Sequence, residues 1–200
     1  MKGFGDRADV ERALTELGRQ MALRDADPVT VLCCGASALC VVGALSRRTL
    51  DVDAVATIGS KGEIISVEEF SPEMNDAIAA VGLSLALNPC WFNLAAAAIL
   101  ARGLPPGTLS RSANHSMNFG PCLTVRFMDR IDLIALKMSA ALDPLEGRRH
   151  IEDLVAIDPT REELKHGADW IGTWPSSASF KQAFQRLLEG FDATDLYTQA

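Results

Sequence analysis

"VTVLCCGAS", residues 29–37, decides the fold. Six β-branched, apolar or thiol side chains run without a charge, Gly35 interrupts them, and small residues follow. A short uncharged run of this kind reads as a buried strand, and "ASALCVVGAL" (36–45) reads as a small-residue helix after a turn at Gly35. "LDVDAVATI" (50–58) is then a second strand, and "GSKG" (59–62) turns the chain into "EIISV" (63–67) as a hairpin partner.

Upstream of this core, Val10, Leu14, Leu17 and Met21 fall at helical spacing among charged residues, and Asp25-Ala26-Asp27-Pro28 stops the helix. Downstream, Ser71-Pro72 opens a helix running to about Leu87, with serine as cap and proline in the first turn. "WFNLAAAAILA" (91–101) is an apolar segment ended by "RGLPPG", and "CLTVRFM" (122–128) is one more strand. Four helical patterns follow, at 129–142, 146–157, 160–171 and 179–191. The expected class is α/β (α+β): a small mixed sheet flanked by helices, then a helical C-terminal half. The expected division is an N-terminal helix at 1–28, a core at 29–128 and a helical region at 129–200.

A chain of 200 residues can bury a sizeable core, and 48% hydrophobic with 22% charged residues argues against disorder. The net charge of −7 disfavours a nucleic-acid-coating role, which leans on neutralising phosphates with Lys and Arg. Five cysteines make no CxxC pair and read as reduced, mostly buried thiols of a cytosolic protein. The first 25 residues are charged throughout, unlike a signal peptide. Two uncharged runs, 29–46 and 77–101, are broken by glycines or by Asn88-Pro89 and Asn93. They fit buried elements of a cytoplasmic protein better than membrane spans.

The chemistry concentrates in "RRTLDVDAV" (47–55). Strand alternation puts Asp51, Asp53, Val55 and Thr57 on one side, and Leu50, Val52, Ala54 and Ala56 on the other, toward the core. Two carboxylates roughly 7 Å apart repel unless a cation lies between them, and hard oxygen donors suit Mg²⁺. The plainer alternative is a solvated face paired to Arg47 or Arg48. At the Gly35 turn, backbone N–H groups and the Ser37 hydroxyl open a helix, which suits a phosphate. In the C-terminal half, Lys137 sits among Leu133, Ile134, Ala140 and Ala141 at helical spacing, so it must snorkel or meet an anion. Arg149 with Asp153, and Glu146 with His150, are spaced as surface pairs. His115, His150 and His166 lack metal-ligand spacing and read as structural or exposed.

The order strand, Gly-x-Ser, helix, strand, Asp-x-Asp, with Thr49 before the acids, resembles the nucleotidyltransferase superfamily. It looks most like the bacterial minimal nucleotidyltransferases related to the AbiEii-type abortive-infection toxins. "DLIALKMSAALDPLEGRRHIEDLVAI" (132–157) is similar to that family's second signature, a helical lysine followed by a basic residue and an acid before leucine. The resemblance spans about residues 29–165. It implies Mg²⁺-dependent transfer of a nucleotidyl group from an NTP to an acceptor, RNA (a tRNA end among relatives) or protein, in a toxin setting with an antitoxin partner. It implies Asp51 and Asp53 as catalytic metal ligands, and Gly35, Ser37, Arg48 and Thr49 as nucleotide contacts. It makes Lys137 and Arg149 contacts for phosphate or base and Asp153 a third acid. Two positions depart from the pattern: His150 stands where relatives carry an acid, and Arg126 where the wider superfamily often has a strand carboxylate. They motivate an alternative, a nucleotide-binding module of the same fold whose catalysis has lapsed. A further alternative is a helical interaction protein with an accidental Asp-x-Asp.

Overall fold

A computed structural model of the chain describes residues 3–175 and 177–197. The ends of the expected 1–28 and 129–200 segments, and residue 176, lie outside them. The chain divides into two compact units, Met1–Asp129 and Arg130–Ala200. The mixed α/β class holds: one sheet of six strands with helices, and a helical C-terminal half.

The sheet grows from the quoted stretch. β1 (Val29–Cys34) and β2 (Val52–Ile58) pair antiparallel, joined through the short helix α2 (Gly35–Val41). β3 (Ile64–Ile65) closes the hairpin with β2 as the Gly-rich turn requires. The two-residue strand β4 (Phe92–Asn93) adds in parallel at the start of β2. On the other side of β1 lie β6 (Leu123–Phe127), parallel to it, and β5 (Ser116–Asn118), antiparallel to β6. The order is β3-β2-β1-β6-β5. β5 carries no apolar alternation, and nothing in "SRSANHSMNFGP" marks it as a strand. Its partner β6 supplies the ladder and a neighbouring apolar face, so tertiary context makes the strand.

Helix α1 (Arg7–Ala22) starts at the Asp6 cap, whose carboxylate accepts the Asp9 N–H. Val10, Leu14, Leu17 and Met21 are all at most 1% exposed. Each contributes roughly 1.5–3 kcal/mol of burial, the main reason the helix holds in place. α3 (Pro72–Leu85) begins at the Ser71 cap as expected, and ends at Ala86 in the left-handed region. Trp91 is fully buried and donates its indole N–H to the Ile78 carbonyl at 2.9 Å. The apolar run after it forms a 3₁₀ helix, Ala95–Arg102. The short helix α4 (Thr108–Ser112) precedes β5.

Gly18 sets how close α1 comes to the β5–β6 turn. A Cβ there would lie 1.7 Å from the Phe119 carbonyl oxygen, and the Phe119 N–H is tied to the Leu123 carbonyl at 2.8 Å. Alanine gains about 1 kcal/mol in helix propensity over glycine, whereas overpacking against fixed backbone costs about 1–3 kcal/mol or more. Gly18→Ala is therefore expected to lower unfolding stability by about 2 kcal/mol in urea melts. A stabilised variant would show that α1 slides freely on that turn.

The second unit contains α5 (Arg130–Ala140), α6 (Gly147–Ile157), α7 (Arg161–Gly172) and α8 (Ala178–Glu189). Thr160 and Glu163 form a reciprocal capping box at the start of α7. Arg130 binds the Glu163 carboxylate at 2.7 Å and the Ile157 carbonyl at 3.1 Å, joining α5, α6 and α7. Burial alone would raise the Glu163 carboxyl, but Arg130 and the Thr160 N–H hold it below the usual carboxylate range. Trp170 and Trp174 pack edge to face at 4.8 Å between ring centres. Among the described residues, no helix is long and apolar enough to cross a membrane. Cys33, Cys34, Cys40 and Cys122 are buried reduced thiols, and Cys90 is an exposed one.

Candidate active site

The two acids of the Asp-x-Asp occupy different local settings. The β2 ladder begins at Val52, so Asp51 precedes it, and Leu50 is 49% exposed and not in the core. Strand alternation governs only residues inside a ladder, which is why the expectation for Leu50 failed. It fails again at a one-residue bulge, because Leu32 pairs Ala56 but Cys33 pairs Ala54, leaving Val55 as the extra residue. Val55 is fully buried, contrary to the expected pattern. Asp53 opposes Cys34, and Thr57 opposes Val31. Cys34 and Val31 are three residues apart on a regular strand, so Asp53 and Thr57 lie on opposite faces.

The bulge therefore re-aims Asp53. Its carboxylate lies against the Gly35 α-carbon, where a Cβ would come within 2.2 Å of Oδ2. Gly35 has φ +79°, a left-handed conformation that side chains rarely adopt, and it opens α2 directly after β1. Only glycine combines that turn with this approach. Burial pushes the Cys33 thiol well above its ordinary pKa, and the neighbouring Cys34 and the Asp53 charge add to it. Cys33 is thus held as a protonated core residue, not a nucleophile.

Asp51 is half-buried and accepts a hydrogen bond from the Thr49 hydroxyl at 3.2 Å. Thr49 is itself buried and bridged to Phe4 in both directions, its N–H to the Phe4 carbonyl and the Phe4 N–H to its own. The N-terminal segment thus fixes the residue that orients Asp51. Ser37, in the first turn of α2, is fully buried, and its Oγ has no hydrogen-bond partner among the described residues. An unsatisfied buried hydroxyl costs about 1–3 kcal/mol, so a fold retains one where something else satisfies it. Arg48 is exposed.

In the second unit, Lys137 takes the second of its two expected outcomes: it meets an anion, the Asp153 carboxylate. Nζ donates to Oδ2 at 2.6 Å and lies 3.4 Å from His150 Nδ1. The two charged side chains are only 9% and 4% exposed. Arg149 does not pair with Asp153; it turns outward, 3.5 Å from Glu146. The geometry thus joins the lysine and the acid of the second signature and leaves both candidates for its basic residue, Arg148 and Arg149, at the surface. His166 lies 3.4 Å from the fully buried Asp132.

One pair had no signal in the sequence. His115 Nε2 lies 2.9 Å from Asp129 Oδ2, and the two residues are fourteen positions apart. They flank the start of β5 and the end of β6, at the sheet edge where β1 ends at Gly35.

Among the described residues, no three His, Cys, Asp or Glu side chains gather to hold a metal. The donor chemistry of the first unit still fits Mg²⁺, an ion commonly held by one or two carboxylates, with substrate phosphates and waters completing its shell. The close cradle at Gly35 and the unsatisfied Ser37 hydroxyl point the same way. The chain matches no family model, no curated protein and no solved structure.

Proposed function

We propose that the protein is a Mg²⁺-dependent nucleotidyltransferase that moves a nucleotidyl group from an NTP to a hydroxyl of an RNA or protein acceptor. The observation that carries this reading is the Asp53 carboxylate lodged against the Gly35 turn. Asp51 and Asp53 are the residues that would hold the ion. When bound, it would neutralise phosphate charge and acidify the attacking hydroxyl. Thr49 orients Asp51, and the bulge at Val55 aims Asp53 at the turn. Backbone N–H groups at the Gly35 turn and the Ser37 hydroxyl, which has no other partner among the described residues, would serve a phosphate.

The resemblance also asks Lys137 and Asp153 to take part. Their mutual bond at 2.6 Å supports a bracing role inside the second unit, and the variants in the Discussion separate that role from a catalytic one. A toxin setting with an antitoxin partner belongs to the same proposal.

The experiment is incubation of each labelled NTP with Mg²⁺ and total RNA or total protein. We expect label in one acceptor fraction and release of pyrophosphate, both lost in Asp53→Asn and with EDTA. If the wild-type protein shows neither transfer nor a Mg²⁺-dependent thermal shift with any NTP, the reading fails. Arg126, standing where the wider superfamily often has a carboxylate, favours one second reading, a binder whose catalysis has lapsed. Metal-dependent NTP binding with no pyrophosphate release would select it.

A further inference from the structure

Arg126 occupies the centre of β6, an interior strand with β1 on one side and β5 on the other. Its neighbours Val125 and Phe127 are fully buried on one face of the sheet, so alternation puts Arg126 on the other. Residues in register across neighbouring strands share a face. Arg126 is in register with Leu32 and Ser116, and Thr124 with Thr30 and Asn118. Leu32 and Cys34 share a face of β1, and Cys34 is in register with Asp53. Arg126 and Asp53 therefore rise from the same face, two strands and two residues apart. By ordinary strand spacing and rise, that separates their backbones by roughly 12 Å. Between them the face carries Leu32 and Cys34, both buried, and the half-buried Thr30 and Thr124 lie on the side of Arg126 away from Asp53.

The arginine is half-buried, its Nε is shielded from solvent, and that atom has no hydrogen-bond partner. No carboxylate of a described residue pairs with its guanidinium, although the chain carries 26 acids against 19 Lys and Arg. A partly buried cation with idle donors is unfavourable for folding alone. Its planar fork matches two oxygens of a phosphate.

We propose that Arg126 is a phosphate-binding residue, gripping the polyphosphate of a nucleotide on the sheet face that also carries Asp53. The nucleotide rests on the function proposed above; the affinity for polyphosphate does not. A fixed guanidinium lets the face attract phosphate without a metal, so the position that departs from the superfamily pattern gains a binding role.

The test uses the full chain with tripolyphosphate and, separately, ATP, both in excess EDTA, read by titration calorimetry and thermal unfolding. Wild type is expected to bind tripolyphosphate, and Arg126→Gln to bind it about tenfold more weakly or worse, since each tenfold is one lost charge-assisted bond. Arg126→Lys should keep part of the affinity, and Asp53→Asn should raise it by removing a like charge. Without ligand, Arg126→Gln should unfold at the same or a higher temperature than wild type. A lower temperature would make Arg126 a structural residue and overturn the proposal. So would unchanged tripolyphosphate binding in a folded Arg126→Gln or Arg126→Lys, or no binding by wild type. Metal-free tripolyphosphate binding with no Mg²⁺-dependent transfer would reject the transferase and keep this site, and the converse would reject only this site.

Discussion

Gly35→Ala is expected to abolish Mg²⁺-dependent NTP binding and transfer while leaving the protein folded. Two effects act at this position. A side chain at φ +79° costs about 1–2 kcal/mol of backbone strain, a loss a core of this size survives. The second effect is local: the new methyl would lie 2.2 Å from Asp53 Oδ2 and 3.1 Å from its Cγ. The carboxylate is the end of a side chain, so it rotates away cheaply, and in doing so leaves the turn. A displacement of about 1 Å in a positioned group can cost on the order of a hundredfold in rate, so function falls far more than stability. Calorimetry with Mg²⁺ and NTP, beside urea unfolding, checks both halves. Near-normal binding in a folded Gly35→Ala would show that the apposition of Asp53 and Gly35 has no part in the activity.

The second large effect belongs to the pair in the helical unit. Asp153→Leu leaves the Lys137 ammonium buried without its carboxylate, with the His150 ring at 3.4 Å. Lys137→Met removes the buried cation that pairs with the Asp153 carboxylate. Removing one member of a buried pair costs about 3–5 kcal/mol, because the remaining charge stays desolvated. Replacing both with apolar side chains of similar volume is often neutral. We therefore expect each single variant to be strongly destabilised, and Lys137→Met combined with Asp153→Leu to recover most of the loss in denaturant unfolding. If the pair only braces α5 against α6, the double variant also recovers NTP transfer. If Lys137 offsets charge on the transferred phosphate, stability returns and transfer does not. Additive losses in the double variant would show that the two residues are not coupled.

The elements that carry their own signals were legible in the sequence. β1 appears at the expected residues 29–34, because an uncharged β-branched run ended by glycine has few other outcomes. α3 starts at its expected residue because Ser71 and Pro72 write the cap locally, and α1 ends ahead of the Asp25–Pro28 stop. The apolar neighbours of Lys137 left two outcomes open, snorkelling or an anion, and only the packing of α6 supplied Asp153. The three-residue strand β5 and the His115–Asp129 contact left no trace, since each depends on a partner far along the chain.

Sequence alone determined that an acidic pair follows a strand, a Gly-x-Ser turn and a short helix, since chain order and local propensity fix that much. Tertiary structure decided which acid reaches the turn. One extra residue, Val55, reverses the phase of β2, so Asp53 meets Gly35 and parts from Thr57, while Asp51 stays outside the ladder. A bulge is a mismatch between two strands and is written in neither strand by itself. The same pairing brought Arg126 onto the Asp53 face, because the register of β6 on β1 follows from hydrogen bonds between segments about ninety residues apart.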